Sequence, residues 1–231
     1  MNTVGDLLDV PHPDDDLAMQ RGRRRYEYSR FRATAYKTAN YLRYNGVGDH
    51  ATVAIVDDPD PKAVIGYLGT ALLGGRVDVD PDGTVDAAVL LGPTEELGDY
   101  EVVGGCKRIG YGDEPTDPTW AYFEREIWSE NPFFPKMDVS GEVSLTDEWT
   151  QAEGLRAART AADDLTADDV VAVRGSLADP SVQIAGILAP LVAGATILFP
   201  SADQRGTVAV GSDDAPEGRV LDAPTDPPAD D

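Results

Sequence analysis

The sequence is poor in the residues that carry most protein chemistry. Its 231 residues include one cysteine, Cys106, and two histidines, His12 and His50. Lysine occurs only at Lys37, Lys62, Lys107 and Lys136. A single cysteine excludes an internal disulfide and suits a reducing, cytoplasmic setting. A structural zinc site needs about four convergent Cys or His ligands. Three scattered candidates do not supply one, so no metal site is expected. Neither a Gly-x-Ser-x-Gly elbow nor a GxxxxGK-S/T phosphate loop occurs.

Long apolar runs are also missing. The longest uncharged stretch, Pro180 to Ala202, is interrupted by Gln183, Gly186, Pro190 and Gly194. It reads as a buried helix followed by a buried strand, because a membrane span needs about 20 mostly apolar residues. No charged start followed by an apolar run marks a signal peptide.

What the chain does have is acid. Forty-two Asp and Glu stand against 19 Lys and Arg, a formal charge of −23, and most of the acids are Asp. Duplex nucleic acid and anionic membranes are excluded as partners, since both are held mainly by cationic contacts to phosphate. Self-repulsion on this scale strains a compact state at low ionic strength. Abundant Asp with scarce Lys resembles the proteins of salt-accumulating archaea, and the fold is expected to need salt. In so acidic a chain, pairs such as Asp57/Asp58, Asp163/Asp164 and Asp168/Asp169 read as solvated faces and not as cation ligands. At 42% hydrophobic residues the chain can still bury a core.

Periodicity then places the elements. Residues 1–25 are polar and end in the basic run Arg21, Arg23, Arg24, Arg25. Phe31, Ala35, Ala39 and Leu42 share one face of a helix over 26–45. Thr52 to Val56 is a β-branched strand. Asp60 caps the next helix and Pro61 fits its first turn. That helix closes at Gly74-Gly75, and Arg76 to Val79 is the next strand, giving a parallel βαβ unit. Further strands are expected at Asp86–Leu91, Tyr100–Val103, Val170–Val173, Ala195–Phe199 and Thr207–Val210. Helices are expected at Trp120–Trp128, at Asp147–Leu165 with Thr146 or Asp147 as cap, and from Asp179 to Ala193. Gly104 to Thr119 reads as loop, with Gly110-Tyr111-Gly112-Asp113 as a turn.

Three segments together resemble the adenylate-forming superfamily of acyl-CoA synthetases, peptide-synthetase adenylation domains and luciferases. Tyr26-Glu27-Tyr28-Ser29-Arg30-Phe31, Ala39-Asn40-Tyr41-Leu42 and Gly46-Val47-Gly48-Asp49 are similar to the family's "TYxEL…AxxLxxxGVxxGD". Val53 to Val56 with Ala63 to Gly75 is similar to its next strand and helix. Leu165 to Val170 with Ile187 to Thr196 is similar to "L…DDVxL…xPLxxGAT". The resemblance spans about residues 20–200. It implies an α/β fold with parallel sheets flanked by helices, a shortened acyl-CoA-synthetase-like N-terminal domain over 1–211. That domain is expected as one body or as two subdomains, about 1–130 and 131–211. An acidic, mobile tail is expected at 212–231.

The family grips ATP phosphates on a Ser/Thr/Gly-rich loop ending in Pro-Lys-Gly, where small residues admit the phosphates to backbone N–H groups. The matching stretch here, Ser129 to Glu142, keeps only Pro135-Lys136 and carries Phe133 and Phe134 instead of small residues. The family's adenine, ribose and magnesium residues and its lid lysine would follow Thr196 and are not expected. The resemblance therefore implies a non-catalytic acyl-CoA-synthetase-like binding or regulatory protein, with no catalytic residue and no cofactor. The alternative is a reduced AMP-forming acid–CoA ligase, or a ligase subunit, using ATP or AMP and CoA. Under that alternative Lys136 is the nucleotide ligand. A partner or ligand surface is expected at Arg21, Arg23, Arg24, Arg25, Trp128, Phe133 and Phe134. Its occupant would be a protein partner, a second copy of the chain or an acyl-CoA-type ligand.

Overall fold

In the computed structural model of the chain, residues 1–201 and 203–222 are described. In chain order the elements are helix α1 (Val4–Leu8), strands β1 (Leu17–Arg21) and β2 (Arg24–Glu27), helix α2 (Tyr28–Tyr44), β3 (Thr52–Ile55), α3 (Pro61–Ala71) and β4 (Arg76–Val79). Next come β5 (Thr84–Val85), β6 (Val89–Pro93), β7 (Glu101–Val102), β8 (Lys107–Tyr111), β9 (Ala121–Tyr122), α4 (Phe123–Ser129) and α5 (Gln151–Ala162). The last are β10 (Val170–Val173), α6 (Pro180–Gln183), α7 (Ala189–Ala193), β11 (Thr196–Phe199) and β12 (Val208–Val210).

Two five-stranded sheets organise these elements. One has the order β12-β10-β11-β1-β2, parallel except for the edge strand β2. The other, β4-β3-β6-β8-β9, is parallel throughout. Parallel strands need crossovers: short β-branched runs make the strands, and helices such as α3, between β3 and β4, make the crossover. Every residue of α3 is buried, as its mostly apolar sequence allows, and the exceptions Lys62, Tyr67 and Thr70 are buried with it. Gly66 and Gly69 permit close approach there: a Cβ on Gly66 would lie 2.1 Å from Leu91, and one on Gly69 would lie 3.2 Å from the backbone of Ala39. The stripe Phe31, Ala35, Ala39, Leu42 of α2 is fully buried.

Several expectations are corrected. Residues 1–25 are not a featureless lead. Thr3 and Asp6 form a capping box for α1, and β1 inserts between β11 and β2. The division at 130 therefore does not follow the sheets, since β1 and β2 complete the sheet built by β10, β11 and β12. The stretch 104–119 contains β8, paired along its length with β6, so Gly110-Tyr111 is strand and not turn. Its apolar residues are too few to announce it, and the neighbouring strand supplies the pairing. Helix α5 starts at Gln151, because Thr150 and Glu153 form the capping box. Thr146 instead closes the preceding turn by accepting from Trp149 N–H. The Asp179–Ala193 helix is interrupted by a π turn at Ile184–Leu188, just before Pro190. The tail expected from Ser212 is held as far as Asp222. Glu217 pairs with Arg174 at 2.6 Å, Arg219 pairs with Asp169 at 3.1 Å, and Leu221 is buried. Residues 223–231 lie outside the described residues.

Candidate functional site

Strand order points to one place on the all-parallel sheet. From β3 the chain first goes outward to β4, then returns to the other side of β3 as β6. At such a reversal the loops after the two central strands diverge and leave a crevice at their C-terminal ends. Asp57 and Asp58 follow β3 there, and Pro93 ends β6. A cleft of about 540 Å³ lies at this point, lined by the acids Asp58, Asp60, Glu95 and Glu96 and by the bases Arg21, Arg23, Arg24 and Lys62.

A dense polar network fills the floor of the cleft. Arg21, at the C-terminal end of β1 in the other sheet, reaches across to Asp58 at 3.0 Å and Asp60 at 2.9 Å. Tyr111, the last residue of β8, donates its hydroxyl to Asp58 at 3.0 Å. Asp60 also caps α3 through Lys62 N–H. The Lys62 ammonium is buried 3.1 Å from Glu124 and 3.7 Å from Asp60, and sits 4.9 Å from the Tyr111 ring centre. Asp57 accepts from Leu177 N–H at 2.8 Å and so ties the loop between β10 and α6 to the same point.

Burial pushes the Asp58 carboxyl above its usual range, and Arg21 and the Tyr111 hydroxyl counter it. Burial, reinforced by Asp58 and Asp60, pushes the Tyr111 phenol far upward, so it remains a hydrogen-bond donor. Burial works against the Arg21 charge, but Asp58 and Asp60 outweigh it and leave the guanidinium more firmly protonated. The network is thus a charge-assisted clasp between the two sheets.

The expected surface residues fall into three places. Arg21 belongs to the clasp. Arg23, Arg24 and Arg25 lie beside it on the β1–β2 hairpin, and Arg24 reaches Asp60 at 3.5 Å. Trp128 is 76% exposed at the end of α4, with Lys37 over its ring at 5.6 Å. Phe133 and Phe134 sit elsewhere. Phe133 is exposed, while Phe134 stacks on Tyr36 at 5.8 Å. Asn40 of α2 holds the backbone there by donating to the carbonyls of Asn131 and Phe133. Lys136 lines a separate small cavity with Asp6 and Asp9, next to α1 and not at the crevice. Asp58, Asp60, Lys62, Tyr111 and Glu124 were not foreseen as site residues. The reversal of strand order after β4 was the signal that could have found them. Asp58 is not on a solvated face, and Asp169 is a buried cap bonded to Thr166, Thr207 and Arg219.

No protein-family model matches the chain, and no curated protein matches it in sequence. Solved structures do match it in shape. One is the anthranilate CoA ligase AuaEII in complex with anthranoyl-AMP, with a TM-score of 0.76 at 14% identity, covering 90% of this chain and 49% of that one. Another is a benzoate CoA ligase from Burkholderia xenovorans LB400, with a TM-score of 0.72 at 18% identity, covering 91% and 50%. A third is the N-terminal domain of FACL13 from Mycobacterium tuberculosis, with a TM-score of 0.73 at 15% identity, covering 98% and 68%. The chain spans about half the length of the two full ligases. Among the described residues no helix is long and apolar enough to cross a membrane. The chain has the α/β fold of these CoA-ligase structures, matched along nearly its whole length by the N-terminal domain of FACL13.

Proposed function

We propose that the chain is an acyl-CoA-synthetase-like binding or regulatory protein that does not itself adenylate a carboxylic acid. The observation that carries this reading is the clasp. Where the parallel strands end, Arg21 is spent on Asp58 and Asp60, and the cleft's four carboxylates stand among four basic residues of which only Arg23 lacks an ion-pair partner among the described residues. Phosphoryl chemistry needs donors or cations aimed at the phosphate oxygens. These residues fit a triphosphate poorly: of the four cations at the cleft, Arg21, Arg24 and Lys62 are already paired with acids, Glu95 and Glu96 stand against a phosphate, and drawing Arg21 away would leave the half-buried Asp58 without its cation. The stretch between α4 and α5 packs on α1 and α2 through Phe134 and lends no small-residue cradle to the cleft.

The test is release of pyrophosphate from ATP in molar KCl with magnesium and a panel of aliphatic and aromatic acids. None is expected above background. Acid-dependent release would overturn the proposal and favour the alternative, a reduced ligase or ligase subunit. The likeness to full ligases is what favours that alternative, which also requires heat on titration with ATP, AMP or CoA.

A further inference from the structure

Beside the clasp, the fold gathers cations that it does not use. A groove runs from the β1–β2 hairpin along the first half of α2 to α4. Six of the 19 basic residues line it, against one of the 42 acidic residues, Glu124. Arg24 and Lys62 have the carboxylate partners described above. Lys37 donates to the Trp128 carbonyl at 2.8 Å. Among the described residues, Arg23, Arg25 and Arg30 have no ion-pair partner, and Arg30 rests over the Tyr26 ring at 5.1 Å. Acids outnumber bases more than twofold in this chain. Adjacent unpaired guanidiniums therefore run against composition and cost mutual repulsion.

The groove has a basic end of about 500 Å³ and an apolar end of about 270 Å³. Ala33, Phe123, Ile127 and the open face of Trp128 line the apolar end. Lys62 lies where the two ends join. It is 4% exposed, and its ammonium, although ion-paired, has no hydrogen-bond acceptor in good geometry. Small-molecule sites combine an apolar lining with a few convergent polar groups in this way.

We propose that this groove binds a phosphate monoester carried on an alkyl or aryl body. A carboxylate offers two oxygens and is satisfied by one guanidinium fork. A phosphate dianion offers three, which suits the several forks presented by Arg23, Arg25 and Arg30. The ester substituent lies over Ile127 and Trp128, away from water. The groove adjoins the cleft and shares Arg23, Arg24 and Lys62 with it, but the proposal concerns binding alone, so it stands whether or not the chain adenylates an acid.

The experiment is a titration with phenyl phosphate in molar KCl, read by tryptophan fluorescence and by calorimetry. Inorganic phosphate and phenol serve as the two half-ligands. Phenyl phosphate gives a saturable response at least about tenfold tighter than inorganic phosphate, because only it fills both ends. Arg30→Gln, an exposed position, weakens binding at least about tenfold. Trp128→Phe removes the fluorescence change and keeps the heat. Lys107→Gln, at the opposite end of β8, leaves affinity unchanged. Absence of a saturable response, equal affinity for inorganic phosphate, or full affinity in Arg30→Gln would each overturn the proposal. Pyrophosphate release would instead overturn only the functional reading above.

Discussion

Arg21 shows how one side chain joins two layers. It leaves β1 of one sheet and satisfies Asp58 and Asp60 at the end of the other. Arg21→Met removes that compensation from Asp58, whose burial already penalises its charge, while Asp60 keeps Arg24 and Lys62. The expected loss at neutral pH is about 1.5 kcal/mol, the low end for hydrogen bonds to charged groups, because Arg21 is 40% exposed. The pH dependence has a definite sign. Folding raises the Asp58 pKa above its ordinary 3.8, so the folded state holds the proton that the unfolded state releases. Stability from this group therefore falls as pH rises through the window between the two values. Without Arg21 that window extends upward. The gap in melting temperature between variant and wild type should narrow as pH is lowered toward the ordinary carboxylate range. A gap independent of pH would show that the clasp carries no net charge interaction.

At the scale of elements, local capping decides boundaries that periodicity leaves loose. Helix α5 has apolar spacing that extends toward Asp147, yet it begins only where Thr150 accepts from Glu153 N–H and the Glu153 side chain reaches back to Thr150 N–H. The N–H and hydroxyl of Thr150 hold the Glu153 carboxyl below its usual range. Thr150→Ala should cost about 1 kcal/mol. In a chain of this size that is a fall of about 2–4 °C in melting temperature. Thr146→Ala tests the competing start: it should loosen the turn at Trp149 without shortening α5, as read by amide exchange at the first turn of the helix. Gly211 illustrates a different constraint. It has φ +82°, and its Cα side packs on Gly175, where a Cβ would come within 2.5 Å of backbone. The ends of β10 and β12 meet there, which only glycine at both positions permits.

For the molecule as a whole, the charge of −23 is the dominant fact. The clasp and the ion pairs of Arg174 and Arg219 neutralise only a few acids. Most carboxylates remain at the surface and repel one another. Raising salt from 0.1 M to 1 M shortens the Debye length from about 10 Å to about 3 Å and removes most of that repulsion. The melting temperature should therefore climb between dilute buffer and molar KCl. An unchanged value would mean that the acids are spaced widely enough to be indifferent. The unpaired guanidiniums of the hairpin are the local exception to this field, and they mark where an anion can approach.

Much of the layout was legible in the chain because it rests on local rules. β-branched runs gave β3, β10 and β11; the Phe31–Leu42 stripe gave α2; Asp60-Pro61 gave the start of α3. The ordered resemblance of these segments pointed to the right fold. What stayed hidden depends on partners far apart in sequence. β1 and β8 lack a strong pattern of their own, and they become strands because β11 and β6 offer free edges. Asp58 looks like any other acid in an acidic chain, and only tertiary structure brings it against Arg21 and Tyr111, shields most of it from water and braces the floor of the cleft. Periodicity and capping are written within a few residues and can be read there, whereas burial and charge pairing are properties of neighbours that only folding supplies.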